Sequence, residues 1–348
     1  MTIPTDRKDV INLLSERRHI PVHVRDMIFR FHANDVNVRD VSGNRYVTEG
    51  LSTRLRKFIS DTGVKNCIII DLSYEWSGNW NVEIFNQYFD MLEEHIGMKV
   101  YVITLNHKIC SDERYIYYNQ FWYTRYYARD HSDNLTIPLD KQYTMLYQNG
   151  RTDMQKMCMI NILHGKGLLD DAVWSAIKYH PRISKKYASV ELNKQLPKAF
   201  DVSNRGKCFW LSFYPELYKL TRFSLIAETQ MHNNACRYSE KTVKAILNKH
   251  PFIICGYYKT LELLRDDGFR TFEGFIDESY DNILDWRERQ AAIADEVSKL
   301  VNMSNDAWLL FQRDIQPIIN HNFNRLVELS SVKGLELSHV INTIYDMS

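Results

Sequence analysis

The chain has 348 residues, 45% of them hydrophobic and 25% charged, with a net charge of +1, which excludes both disorder and a uniformly basic nucleic-acid binder. No apolar run approaches the roughly 18 residues a membrane span needs, and the polar N-terminus is no signal peptide. The expectation is a soluble two-domain protein with no membrane partner, cytoplasmic or of a virus-infected cell. Charge is uneven: residues 1–60 hold eleven Arg/Lys against seven Asp/Glu, about +4, and the remainder is about −3. The six cysteines are scattered without a C-x-x-C pair, so structural zinc is not expected, and thiols beside apolar residues read as buried and reduced. Twenty-one tyrosines against thirteen glycines are a compositional hint of an AT-rich genome, such as a viral one.

Residues 6–34 read as helical, with Val10, Leu13, Leu14, Val22, Val24, Ile28 and Phe29 set among Arg and Asp, and Pro21 splitting the segment in two. Leu51 to Ile59 reads as a third helix. Cys67-Ile68-Ile69-Ile70-Asp71 is a short branched run suited to a parallel strand buried on both faces. An amphipathic helix from Trp80 to His95 ends at Gly97, and Lys99 to Thr104 is the next strand, the start of an α/β domain. Residues 113–129 are dense in Tyr, Phe, Trp and Arg. They read as a helix packing on the sheet, with an aromatic and cationic wall that stacks a base or a sugar as the sharper alternative.

Lys141 to Tyr147 reads as a strand, followed by Asn149-Gly150-Arg151, a helix from Met154 to His164 ending at Gly165 or Gly167, and a further element starting at Leu168-Leu169-Asp170. Residues 180–207 are polar, contain Pro181 and Pro197, and read as the inter-domain region with room for short helices. The α/β rhythm then returns, with strands at Phe209–Phe213 and Phe223–Ala227, the second closing with Glu228. Ser239 is a good N-cap for a helix that must stop near His250, because Pro251 biases its predecessor away from helical geometry. A buried strand, Phe252 to Cys255, follows at once. Beyond it come a helix from Leu261 to Arg265 capped at Gly268, a long helix from about Asp285 to Val301, and last helices over about 304–328.

In open α/β sheets, ligands bind beyond the carboxyl ends of strands. Four groups satisfy that rule: Asp71 with Glu75, Asn149 with Arg151, Glu228, and Ser239 to Lys241. Two come from each half, which points to an interdomain cleft. A helix start carries partial positive charge and binds anions, and Lys241 adds a full charge there. Glu240 offers an acceptor for sugar hydroxyls. Being adjacent to Lys241, it lacks the spacing of three or four that makes a helical ion pair. Arg151 can clamp phosphate through two parallel hydrogen bonds, or lie as a surface arginine. Asp71 and Glu75 are either capping carboxylates or a general base; Glu75 is preferred, because Trp76 can partly desolvate it. There is no D-x-D pair to hold a metal on a diphosphate, and no H-E-x-x-H, G-x-S-x-G, P-loop or G-x-G-x-x-G.

The segment from Phe223 to Asp281 resembles the C-terminal domain of GT-B-type glycosyltransferases carried by tailed phages, which in turn resemble the α-1,3-fucosyltransferase family. The resembling residues are Ser224-Leu225-Ile226-Ala227-Glu228, Tyr238-Ser239-Glu240-Lys241-Thr242, Lys249-His250-Pro251-Phe252-Ile253, Leu264 to Phe272, and Ile276 to Asp281. A weaker match runs from Tyr143 through Asn149, Arg151 and Gly165 to Asp170, and on to Trp174-Ser175. The resemblance implies an α/β chain of two Rossmann-like domains facing a central cleft, with a helical N-terminal extension. Residues 1–180 would form the acceptor side, 181–303 the nucleotide-sugar-binding domain, and 304–348 helices packing back across both.

Carried over by position, Glu240 would meet the donor ribose or sugar, Lys241 the diphosphate, Glu228 the donor region, and Arg151 a second phosphate oxygen. Asp71 or Glu75 would deprotonate the acceptor. The implied activity is metal-independent transfer of a hexose or pentose from a nucleotide sugar, a UDP-sugar ahead of a GDP-sugar. The favoured acceptor is a hydroxymethylated base, such as hydroxymethylcytosine, in double-stranded phage DNA. A glycan or protein acceptor is one alternative, and a non-catalytic nucleic-acid-binding or assembly protein on the same scaffold is another.

Overall fold

A computed structural model describes residues 28–30, 49–62, 67–71, 86, 89–90, 92–94, 96–104, 113–119, 141–179, 181–196, 214–229, 231 and 236–346. The chain divides into two compact units, one drawn from Met1–Gln120, Asn233–Arg237 and Glu328–Ser348, the other from Phe121–His232 and Tyr238–Val327. Each carries a four-stranded parallel sheet, so the fold is mixed α/β.

In the first unit, β1 (Ile28–Arg30), β2 (Cys67–Asp71), β3 (Lys99–Thr104) and β4 (Tyr115–Tyr117) lie in that order, every neighbour parallel. Helix α1 (Glu49–Thr62) precedes β2. Ile68, Ile69 and Ile70 are fully buried, which requires both sheet faces to be covered; each contributes about 2 kcal/mol of hydrophobic stabilisation. The run Cys67–Asp71 is the strand its branching predicts, and Gly97 closes the preceding helical turns with a left-handed φ of 68°.

Two expectations here are corrected. Ile28 and Phe29, read as helical, pair with Ile69 and Ile70 in the sheet, where branched and aromatic side chains fit a pleated surface. Tyr115 to Tyr117, read as helix, form an edge strand against Val102–Thr104. The Tyr115 ring meets Phe89 edge-on, and its hydroxyl donates to Asn86 Oδ1 at 2.6 Å. Tyr115 and Tyr118 are therefore interior, and not free to stack a base. The rest of the 113–129 stretch, the strand expected at Phe209–Phe213, and most of the 6–34 segment lie outside the described residues.

In the second unit, β5 (Tyr143–Tyr147) leads to the short β6 (Arg151–Thr152), then α2 (Met154–Gly165), β7 (Ala172–Trp174) and β8 (Lys178–Tyr179). Leu168 to Asp170 form a turn before β7 rather than its start. Next come α3 (Pro181–Tyr187), α4 (Val190–Gln195), α5 (Pro215–Leu220), β9 (Thr221–Ala227), α6 (Glu240–Leu247), β10 (Phe252–Cys255) and α7 (Thr260–Asp266). A 3₁₀ turn (Glu278–Asn282) precedes α8 (Trp286–Val301), α9 (Asn305–Asp314) and α10 (Gln316–Asp346).

The main sheet has the order β10–β9–β5–β7, all parallel, with β6 and β8 forming a separate pair. The boundary expected at 180/181 thus falls inside one unit, whose sheet takes strands from both sides of it. Parallel neighbours need crossovers of a dozen residues or more, and α3 and α4 belong to that crossover rather than to a linker. Likewise α10 runs well past the expected end near 328.

Gly268 ends α7 in the left-handed region, φ 84°, with its N–H on Arg265 O at 2.8 Å. A Cβ there would meet Arg325 Nε at 2.6 Å, and that nitrogen already donates to Asp267 O. Gly268→Ala is expected to cost about 2 kcal/mol in denaturant unfolding, from strained backbone plus the displaced arginine.

Candidate active site

Strand β9 is central in its sheet, and its carboxyl end delivers Glu228 into an interior where only 1% of the residue is exposed. One carboxylate oxygen, Oε1, accepts the Ser239 N–H at 2.9 Å and the Thr242 hydroxyl at 2.8 Å. Those two donors sit at the start of α6, so Glu228 fixes where that helix begins. Ser239 is its N-cap: φ is −117°, ψ −171°, and its hydroxyl accepts from Lys241 N at 3.4 Å.

Lys241 is held rather than waving in solvent. Its Nζ donates to Thr229 Oγ1 and to Ser239 Oγ, both at 3.2 Å, with Glu228 Oε2 at 3.8 Å and Glu240 Oε1 at 3.7 Å. The Glu240 approach corrects the expectation drawn from helical spacing. In a first helical turn, two long side chains can meet over the helix end instead of along its side. The Lys241 side chain is 26% exposed, enough for a ligand to reach it.

A second cation, missed in the sequence, stands in the same field. Lys156, in the first turn of α2, is 5% exposed and donates to Arg151 O at 3.1 Å. Asp153 caps that helix by accepting Lys156 N at 3.0 Å, and its other oxygen lies 3.8 Å from Lys156 Nζ. Burial lowers the Lys156 pKa and the Lys241 charge lowers it further, while Asp153, Glu228 and Glu240 pull it back. Burial likewise brings Lys244 down to about 8, against the pull of Glu240 and with the push of Lys241. Burial would raise Glu240, but the Lys241 and Lys244 charges, together with hydrogen bonds from its own backbone and Ser239, hold that carboxyl below its ordinary value. Two capped helix starts and three lysines thus share one electrostatic neighbourhood. A cap residue with a lysine in the first turn, Asp153 with Lys156 as Ser239 with Lys241, is present in the sequence, but that the two starts share one field is not legible there.

Asn149 follows β5, with its N–H on Ser175 Oγ at 2.9 Å. Its amide lies beside the Tyr147 hydroxyl and eases that group's burial-driven rise in pKa, yet neither amide atom makes a well-formed hydrogen bond. The buried Thr152 hydroxyl and Gln155 Nε2 are equally unpartnered. Buried polar groups without partners are uncommon, and these gather between β5 and the start of α2.

Of the residues singled out in the sequence, Ser239, Glu240, Lys241 and Glu228 come together, and Asn149 and Arg151 belong to the same unit. Arg151 itself is exposed, and the atom it turns toward the cluster is its carbonyl. Three of the four expected groups therefore lie in one unit, instead of two coming from each half. Asp71 ends β2 in the other unit, and Glu75 lies outside the described residues. Among the described residues no three His, Cys, Asp or Glu side chains cluster to hold a metal, and no helix is long and apolar enough to cross a membrane.

No family model matches the sequence, and no curated protein matches it significantly. Among solved structures, a chain of the "GtfA/B complex" superposes with a TM-score of 0.39 at 10% identity, covering 91% of this chain and 64% of that one. This chain therefore spans less than two thirds of that chain's length, and similarity at this level fixes neither fold nor function.

Proposed function

We propose that the chain is a nucleotide-sugar-dependent glycosyltransferase whose donor diphosphate sits at the α6 start. The observation carrying this is Lys241, partly exposed at a capped helix N-terminus beyond a central parallel strand, with Lys156 and Lys244 in its field. Helix-start N–H groups and ammonium ions suit a diphosphate, and they neutralise a leaving group without a metal. Glu240, kept ionised by its lysine neighbours, suits a ribose or sugar hydroxyl. Glu228 has the different role of holding Ser239 and Thr242 in place. Glu75, or else Asp71, remains the proposed base for the acceptor, and a UDP-sugar the preferred donor.

The proposed acceptor is a hydroxymethylated base in double-stranded phage DNA, supported by the basic residues 1–60 and the phage-like resemblance. The test is mass spectrometry of hydroxymethylated and unmodified DNA after incubation with the protein and mixed nucleotide sugars. A mass increment confined to the hydroxymethylated DNA is the expected result. Donor hydrolysis without DNA modification would redirect the acceptor to a glycan or protein. No turnover of any nucleotide sugar would leave a binding protein.

Affinity for a nucleoside diphosphate is expected to depend on pH. An anion beside Lys241 favours the protonated form of Lys244, whose pKa without ligand is about 8. Binding then takes up a proton, so affinity is full below about 8 and weakens as pH rises above it. Titration calorimetry of UDP between pH 6.5 and 9.5 checks this; a flat profile that Lys244→Met leaves unchanged would refute it.

A further inference from the structure

The same unit carries a second concavity that the α6 start does not use. It is a groove of about 530 Å³, walled by Arg265, Glu273, Phe275, Asp277, Glu278 and Asn282. That volume lies in the range of small-ligand sites. Its fixed corner is Glu278, whose Oε1 accepts the Phe272 N–H at 2.7 Å and whose Oε2 accepts from Arg265 Nη1 at 3.2 Å. Arg265 Nη1 also donates to Thr271 Oγ1 at 3.0 Å, and the Arg265 side chain is 41% exposed. Asp277 caps the 3₁₀ turn through Oδ1 and is otherwise exposed. Phe275 is 42% exposed, and its ring is braced edge-on by Phe311 at 6.2 Å between centroids.

The lining selects a chemistry. Three carboxylates against one guanidinium, itself paired with Glu278, disfavour an anion, and the exposed Phe275 ring gives the groove an apolar face that a bare cation does not use. The lining suits a neutral ligand that both donates and accepts hydrogen bonds at close intervals while offering one apolar face. Carboxylates take hydroxyl protons, the guanidinium and the Asn282 amide serve hydroxyl oxygens, and an exposed ring stacks against the C–H face of a pyranose. From this we infer that the groove is a carbohydrate-binding subsite for a neutral oligosaccharide of two or three sugars, centred on Phe275. It is independent of the reading of Lys241, because it concerns binding and involves no transfer step.

Saturation-transfer NMR with maltotriose, cellotriose, mannotriose and chitotriose tests it on the whole chain. At least one is expected to receive saturation on its ring C–H protons and to bind roughly tenfold more weakly to Phe275→Ala. Glu273→Gln, at an exposed position, is expected to weaken binding several-fold with thermal unfolding unchanged, which keeps the test valid if Phe275→Ala disturbs the Phe311 contact. No transfer to any of the four sugars would overturn the inference. So would equal binding by both variants, or binding of pentalysine in place of a sugar. Lys241→Ala is expected to leave this binding intact while sharply lowering donor turnover, so the two readings fail separately.

Discussion

Lys241→Ala is expected to lower sugar-donor turnover on the order of a hundredfold or more, while leaving the fold in place. The substitution removes a cation that contacts Thr229, Ser239, Glu228 and Glu240, and it strips the α6 start of that full positive charge. Charge building on a departing diphosphate is greatest at the transition state, so the loss should fall on kcat more than on KM. The helix itself keeps its Ser239 cap and its Glu228 anchor, so circular dichroism and thermal unfolding should match the parent. A variant with turnover within a few-fold of the parent would remove Lys241 from the chemistry. Lys241→Arg adds a control: it keeps the charge but cannot reproduce the compact contacts to both hydroxyls, and should recover only part of the rate.

How much of this was legible follows from where each signal resides. Cys67 to Asp71 and Phe252 to Cys255 were readable because a parallel strand buried on both faces is a short, branched, continuous apolar run, and Lys99 to Thr104 because its apolar residues follow the helix stop at Gly97. The α6 start was readable because capping is local chemistry, settled within a few residues. Tyr115 to Tyr117 were misread because an edge strand of three residues has no period, and only its partners across the sheet decide it.

Topology was beyond the sequence for a similar reason. That β5 pairs with β9, about seventy residues on, is a long-range fact, so a boundary drawn on composition at 180 cut through one sheet. In the site, Lys241 was visible from its cap. Lys156 was not, since its meaning depends on α2 starting beside α6, which only the folded chain reveals.

Arg289→Met carries the largest expected loss of stability, about 3 kcal/mol. Arg289 is 2% exposed and donates to four carbonyls: Gly256 after β10, Met231 after β9, and Ile283 and Leu284 before α8. Three stretches of irregular backbone are thereby tied to one helix, and methionine would fill the stem's volume while leaving all four acceptors short of a donor. Each lost bond costs on the order of 1 kcal/mol, and relief from burying the guanidinium charge, whose pKa burial lowers, offsets a part. For a unit of this size the melting temperature should fall by roughly 6–12 °C. Lysine should do little better than methionine, because a single ammonium cannot reach carbonyls that a planar fork spans. Met231 lies two residues beyond Thr229, a partner of Lys241 Nζ, so the same variant should also loosen Lys241 and weaken nucleotide binding. Unfolding within about 0.5 kcal/mol of the parent would mean that the α8 helix, and not the guanidinium, holds these loops.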